Sequence, residues 1–253
     1  MKKIFYIFGL SALIFTSCDY FEHDNYDAPD ATLKGVVKDA KTNDNLSTEI
    51  AASFKIEYYE LSWEEAGHSN TEAQIFWNKE DGMFNNTKIF SGKYRITLKE
   101  GAFYAPESQI VQLQSNKTTE LNFSVVPYAR VQIDDIQLNG TADNNNLVIK
   151  YTVQDTESEI NTETTDEDLY TLSEARVFIS SKSPNVGVNN NETKYTLNAK
   201  KNVSNYTPGT AKSYTETNVK NLPAGTWWIR IGVRTDNPQK RYNFTPVKEI
   251  TVS

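Results

Sequence analysis

Short runs in which apolar and polar residues strictly alternate, each closed by a turn signal, recur along most of this chain. Side chains of an extended strand point alternately to its two faces, whereas a helix repeats its apolar face every ~3.6 residues. With no convincing helical period to compete, the chain is constrained to sheets that bury one face. In residues 52–58, Phe54, Ile56 and Tyr58 share one face while Lys55 and Glu57 take the other. Residues 93–98 turn Tyr94, Ile96 and Leu98 inward, and residues 147–153 do the same with Leu147, Ile149, Tyr151 and Val153.

Ahead of Pro127 the expected strands are residues 33–38, 52–58, 73–77, 84–90, 93–98, 109–113 and 120–126. Turns fall at residues 39–45, at Asp81-Gly82 and at Ser91-Gly92, and residues 64–72 read as a polar loop. Beyond Pro127 the expected strands are 131–138, 147–153, 175–180, 194–197, 213–219, 226–235 and 242–252, with a turn over 139–146. Pro127 cannot donate to a sheet ladder and separates the two sets, so the domain boundary is placed there. The predicted fold class is all-β, with one antiparallel β-sandwich over residues 31–127 and a second over 128–253. The second set has the strand count of an immunoglobulin-like or fibronectin-III-like sandwich. Its corner Leu222-Pro223-Ala224-Gly225-Thr226-Trp227-Trp228 is similar to the turn before the penultimate fibronectin strand, without that fold's tyrosine.

The first thirty residues have a different character. Lys2 and Lys3 precede an apolar run over residues 4–15, shorter than the ~20 residues a membrane helix needs, and Thr16-Ser17 lead directly into Cys18. Residues 1–17 therefore read as a signal peptide ending in a lipobox, with Cys18 as the lipidated residue. Several acyl chains anchor a protein stably where a single one is marginal. In the tether, residues 18–30, Asp19, Glu22, Asp24, Asp27 and Asp30 meet no lysine or arginine before Lys34. Repulsion and Pro29 keep such a segment extended. Cys18 is the chain's only cysteine, so stability rests on burial and ladder hydrogen bonds. A formal net charge of −7 argues against a nucleic-acid partner, which requires a basic footprint, and against adhesion to an anionic membrane surface.

Several motifs carry a resemblance. Gly35-Val36-Val37-Lys38-Asp39, Asp81-Gly82-Met83-Phe84 and Phe90-Ser91-Gly92-Lys93-Tyr94-Arg95-Ile96 resemble the transthyretin-like, carboxypeptidase-regulatory-like fold. The longer segment from Asp81 to Tyr94, with the lipobox and Pro127-Tyr128, resembles a family of Bacteroidota lipoproteins of unknown function. Acidic residues directly after the lipidated cysteine are similar to the export signal of lipoproteins in Bacteroides-type bacteria. The resemblance implies an outer-membrane protein facing the cell exterior. It also implies genes beside the transporter and glycan-binding lipoprotein pairs of starch-utilisation-type (Sus-like) systems, and it brings no catalytic residues.

The residues themselves narrow the chemistry further. Of two histidines, His23 lies in the tether and His68 in the polar loop, outside any triad motif. Zinc sites built from several histidines or cysteines are excluded by count, phosphate-binding and dinucleotide fingerprints are missing, and no cofactor is expected. The acidic stretch 155–168 has oxygen ligands enough for calcium but lacks the ordered spacing and central glycine of a dedicated loop, and reads as solvated. Aromatic residues carry the functional expectation. In residues 226–235, Trp227, Ile229, Ile231 and Val233 share one face and Trp228, Arg230 and Arg234 the other, so one tryptophan is core and its neighbour points outward. An outward Trp228 beside Arg230 and Arg234 can stack on a sugar ring and bond its hydroxyls, or can pack against the other domain or a crossing loop. Tyr59, Trp63 and Trp77 form a second candidate set, with one of Tyr58 and Tyr59 outside by alternation and Trp63 at the start of a loop, and core packing or the domain interface is the competing use of each.

The expected function is non-enzymatic, glycan binding or uptake by a membrane-anchored lipoprotein working with a Sus-like transporter complex. Its rival is a structural, protein-binding lipoprotein of a transporter complex or fimbria-like assembly. A carboxylate-dependent glycoside hydrolase is the remote alternative that an acidic composition leaves open.

Overall fold

The computed structural model describes residues 28–69, 72–160 and 169–253. The expectations for Cys18, for His23 and for residues 161–168 of the acidic stretch fall outside the described residues.

Eight strands precede Pro127: β1 (Ala31–Asp39), β2 (Ala51–Glu60), β3 (Gln74–Lys79), β4 (Met83–Ile89), β5 (Gly92–Lys99), β6 (Gln109–Leu113), β7 (Thr118–Glu120) and β8 (Phe123–Val125). One sheet runs β4-β1-β7, with β8 also on β1, and the other runs β3-β2-β5-β6. Alternation builds the core between them. Phe54, Ile56 and Tyr58 of β2 and Tyr94, Ile96 and Leu98 of β5 meet Leu33, Val37, Phe84 and Ile89 of the facing sheet. Full burial of one such side chain contributes ~1.5–3 kcal/mol. The Asp81-Gly82 turn requires its glycine, whose φ is +75° and whose added Cβ would lie 2.7 Å from the Leu46 carbonyl oxygen.

The remaining strands are β9 (Ala129–Thr141), β10 (Asn144–Asp155), β11 (Leu172–Ser180), β12 (Lys200–Asn202), β13 (Lys212–Lys220), β14 (Gly225–Thr235), β15 (Tyr242–Phe244) and β16 (Lys248–Val252). A three-stranded sheet, β13-β10-β9, packs on a sheet ordered β12-β11-β14-β15 with β16 also on β14. Leu147, Ile149, Tyr151 and Val153 face Val177, Ile179, Trp227, Ile229, Ile231 and Val233 in the second core. The fold is all-β with paired sheets, as the sequence pattern predicts.

The structure differs from the sequence expectation in several places. The first sandwich is not purely antiparallel, because β7 and β8 run parallel to β1 after the chain crosses over from β6. Residues 194–197, expected as a strand, instead hold one helical turn, α2 (Thr193–Thr196), whose Tyr195 ring packs edge-on against Trp227 at 5.2 Å. A helical turn also occupies the start of the expected polar loop, α1 (Leu61–Glu65), with Leu61 buried. Single turns are too short to show a period. The expected strand 242–252 divides into β15 and β16 around Pro246, which has no N–H to donate. The expected turn 139–146 tightens to Ala142-Asp143, with Thr141 paired to Asn144 and Asp143 at a φ of 60°.

Candidate functional site

The outward face of the β3-β2-β5-β6 sheet brings together two of the predicted residues, Tyr59 and Trp77. Register places Lys55 between Trp77 and Lys99, Glu57 between Ile75 and Thr97, and Arg95 between Tyr59 and Ile110. Paired residues project to the same side of a sheet, so all of these share one face. Exposure there is high for apolar residues: Trp77 is 39%, Ile75 47% and Ile110 62% exposed. The Lys55 ammonium lies 5.7 Å from the Trp77 ring centre, and the Arg95 guanidinium 5.7 Å from that of Tyr59. Such cations hold an aromatic ring in place without covering both faces. Lys99 pairs with Glu57 at 2.8 Å, Lys55 pairs with Glu100, and the Thr97 and Ser108 hydroxyls are 2.8 Å apart. The result is an open surface of ring faces interspersed with hydroxyl, ammonium, guanidinium and carboxylate groups. Phe76, between Ile75 and Trp77, turns inward against Tyr58 and Phe84, which fixes the outward direction of its neighbours.

The other four predicted residues lie elsewhere. Trp63 sits in α1, half-buried, with its ring stacked on His68 at 4.0 Å. Trp228 lies on the face of β14 opposite the buried Trp227, but it is half-buried over Phe178, Val186, Tyr242 and Phe244, and its indole N–H donates to Glu249. Arg234 lies over the Tyr242 ring at 5.4 Å.

Arg230 corrects the sequence expectation. It does point away from its own core, yet it is only 2% exposed, because the first sandwich covers that part of the sheet. Its Nε donates to the Thr245 carbonyl at 2.9 Å, Nη1 to that of Val186 at 3.1 Å, and Nη2 to that of Thr48 in the first sandwich at 2.9 Å. The guanidinium also lies 4.4 Å from the Phe244 ring centre. Burial pushes its pKa down to about 10, against the pull of Glu49 and Glu80, so it remains charged at neutral pH. No sugar can reach it.

Arg230 belongs to a seam between the two sandwiches. Glu49 of the first sandwich accepts the Val188 N–H at 2.9 Å, and an added Cβ on Gly187 would fall 1.9 Å from its Oε1. Asn243 accepts the Ala129 N–H and donates to the Ala102 carbonyl at 2.9 Å. At the seam's margin Arg130 donates to Asp39 at 2.5 and 2.7 Å and to Glu159 at 2.6 and 2.9 Å, while Lys41 donates to Glu159 at 2.9 Å. Burial raises the Asp39 carboxyl, but bonds from Arg130 and the Lys41 N–H outweigh it and hold it below the usual carboxylate range. Glu159 is likewise lowered, its burial outweighed by Arg130 and Lys41. Beside this network opens a cleft of about 710 Å³ whose walls include Lys41, Asp44, Asp81, Gln132, Thr152 and Gln154. On its wall Arg130 pairs with Asp39, which ties the two sandwiches together there. Among the described residues no group of histidine, cysteine, aspartate and glutamate side chains is placed to hold a metal ion.

With this geometry in view, residues 31–126 match the family described as "Protein of unknown function (DUF3823) N-terminal domain". No curated protein matches the sequence. A DUF3823 family protein from Bacteroides uniformis shares the fold at a TM-score of 0.68 and 20% identity, covering 89% of this chain and 100% of that one. One from Parabacteroides merdae does so at 0.63 and 20%, again covering 89% and 100%. A candidate carbohydrate binding protein from Bacteroides uniformis aligns at 0.65 and 18% identity, covering 88% of this chain and 100% of that one. The matched segment is the first sandwich, and the resemblance to an uncharacterised Bacteroidota family is supported there and by the fold of these relatives.

Proposed function

We propose that this chain is a non-enzymatic glycan-binding lipoprotein, anchored in the outer membrane through Cys18 and facing the cell exterior, that serves glycan capture or uptake by a Sus-like transporter. The observation that carries the reading is the open face bearing Trp77 and Tyr59. Sugar rings present C–H faces that stack on aromatic rings and hydroxyls that bond to charged and hydroxyl groups, and both kinds of partner are interspersed on this sheet. The carbohydrate-binding description of the Bacteroides uniformis neighbour agrees with it, although likeness at that identity carries no residues across. The cleft offers no such stacking surface, since the one aromatic side chain on its wall, Phe244, is buried.

The test is binding of the soluble chain from Asp19 onward to a panel of plant, host and microbial glycans, with Trp77→Ala and Tyr59→Ala in parallel and Trp63→Ala and Trp228→Ala as comparisons. Selective loss with Trp77→Ala, in a folded protein, is the expected result. Replacement of Cys18 by serine is expected to release the protein from the membrane fraction, and retention would refute the anchor.

A second reading draws on Ile75 and Ile110, the two most exposed apolar residues of the same face, which suit a protein partner better than a sugar. It gains if the panel is silent and Ile75→Asp or Ile110→Asp abolishes association with the transporter.

A further inference from the structure

The second sandwich carries a cationic face that the glycan reading above does not use. Register across β12, β11, β14 and β15 sets Asn202, Glu174, Arg234 and Tyr242 in one row and Lys200, Arg176, Gly232 and Phe244 in the next. Arg176 and Arg234 are thus diagonal neighbours, about 7–8 Å apart at the backbone. Gly232, between them, has no side chain, and the space a Cβ would take is filled by the rings of Phe178, Phe244 and Tyr242 at 2.9 to 3.0 Å. On this aromatic floor lie the two guanidinium groups, Arg176 at 5.2 Å from the Phe178 ring centre and Arg234 at 5.4 Å from that of Tyr242.

Their charge is poorly matched. Glu174 is the one carboxylate in the two rows, stands 3.9 Å from Arg234, and already accepts the Tyr242 hydroxyl at 2.5 Å. Arg176 has no ion pair among the described residues, and the Nε of each arginine is buried without a hydrogen-bond partner there. Lys200, opposite Arg176, is exposed. Two arginines and a lysine against one carboxylate, in a chain of net charge −7, make a local reversal of sign. With Arg234 29% and Glu174 22% exposed at the side chain, these groups are partly withdrawn from water, where an oxyanion gains more from a planar guanidinium than it would on an open surface.

We infer that this face binds the oxyanion of an acidic sugar, a uronate carboxylate or a sugar sulfate, held between Arg176 and Arg234 with Lys200 at the rim. Glu174 favours a ligand with hydroxyl donors on the same ring as its oxyanion, as in a uronate or sugar sulfate, because a carboxylate accepts hydrogen bonds and donates none. The inference rests on the glycan reading for its polymer class and on a separate face for its site.

The test uses the soluble chain from Asp19 onward with polygalacturonate, its fully methyl-esterified form, dextran sulfate and poly-glutamate. Expected is binding of polygalacturonate or dextran sulfate that weakens at least tenfold in Arg176→Gln and in Arg234→Gln, fails for the ester, falls with added salt, and is unchanged in Lys93→Met, which removes an exposed cation of the first sandwich. Should a glutamine variant unfold, the Nε–Hε resonances of Arg176 and Arg234 in the wild-type chain give the answer, shifting with galacturonate or glucose sulfate and staying still with galactose. Equal binding of ester and free acid, loss in Trp77→Ala alone, arginine-dependent binding of poly-glutamate as tight as that of the sugar acids, or unmoved resonances would each overturn the inference. Loss in Trp77→Ala alone would leave the glycan reading standing, and arginine-dependent binding with silent neutral glycans would remove the Trp77 face instead.

Discussion

The seam and the open face of the first sandwich contain the same kinds of residue, arginine, glutamate and aromatic rings, put to opposite uses. At the seam Arg230 makes three hydrogen bonds to carbonyl groups and Arg130 is held by two carboxylates, with both guanidinium groups largely out of solvent. On the open face Arg95 and Lys55 lie over rings that remain accessible. The lesson is that residue type does not tell a joint from a site. What distinguishes them is access to solvent: Arg230 is buried where the sandwiches meet, while Trp77 stays exposed on its sheet.

The largest effect is expected from Arg230→Ala, which leaves the Thr48, Val186 and Thr245 carbonyls buried and unpaired and costs about 3–5 kcal/mol, read from the urea midpoint. Next is Gly187→Ala, where the added methyl meets Glu49 from the other sandwich and costs about 1–3 kcal/mol in the same measurement. A pH series probes the Arg130 network. Asp39 and Glu159 are depressed in the folded state, so their contribution is present above the unfolded carboxyl values near ~4 and is lost as pH falls below them toward the folded values. Stability should therefore fall on acidification through that window, and the fall should be shallower in Arg130→Met. Trp77→Ala is expected to change stability by less than about 1 kcal/mol while removing glycan binding. Smallest is Lys93→Met, which deletes an exposed pair with Glu65 and should cost at most about 0.5 kcal/mol by thermal melting.

Much of this was legible in the sequence because alternation is a local property. It assigned Phe54, Ile56 and Tyr58 inward and Lys55 and Glu57 outward, and it separated Trp227 from Trp228, since each assignment needs only the pleat of one strand. The same rule misled at Arg230. Alternation says which side of its own sheet a residue occupies, and it is silent on whether another sandwich lies over that side. The pairing of Arg130 with Asp39 joins residues ninety-one positions apart and follows only from how the sandwiches meet. Arg234 was singled out, but its partner Arg176 was not, because the two become neighbours only through the register of β11 on β14. The turn at Thr193–Thr196 was misread because four residues can satisfy a strand pattern and a helical turn equally.

The most direct test of the central claim is glycan titration of the soluble chain beside its Trp77→Ala variant, with urea midpoints recorded for both. Binding by the wild-type chain is expected, with at least a tenfold loss in the variant and midpoints that nearly coincide. Undiminished binding in Trp77→Ala, or no binding by a folded wild-type chain across the panel, would contradict it.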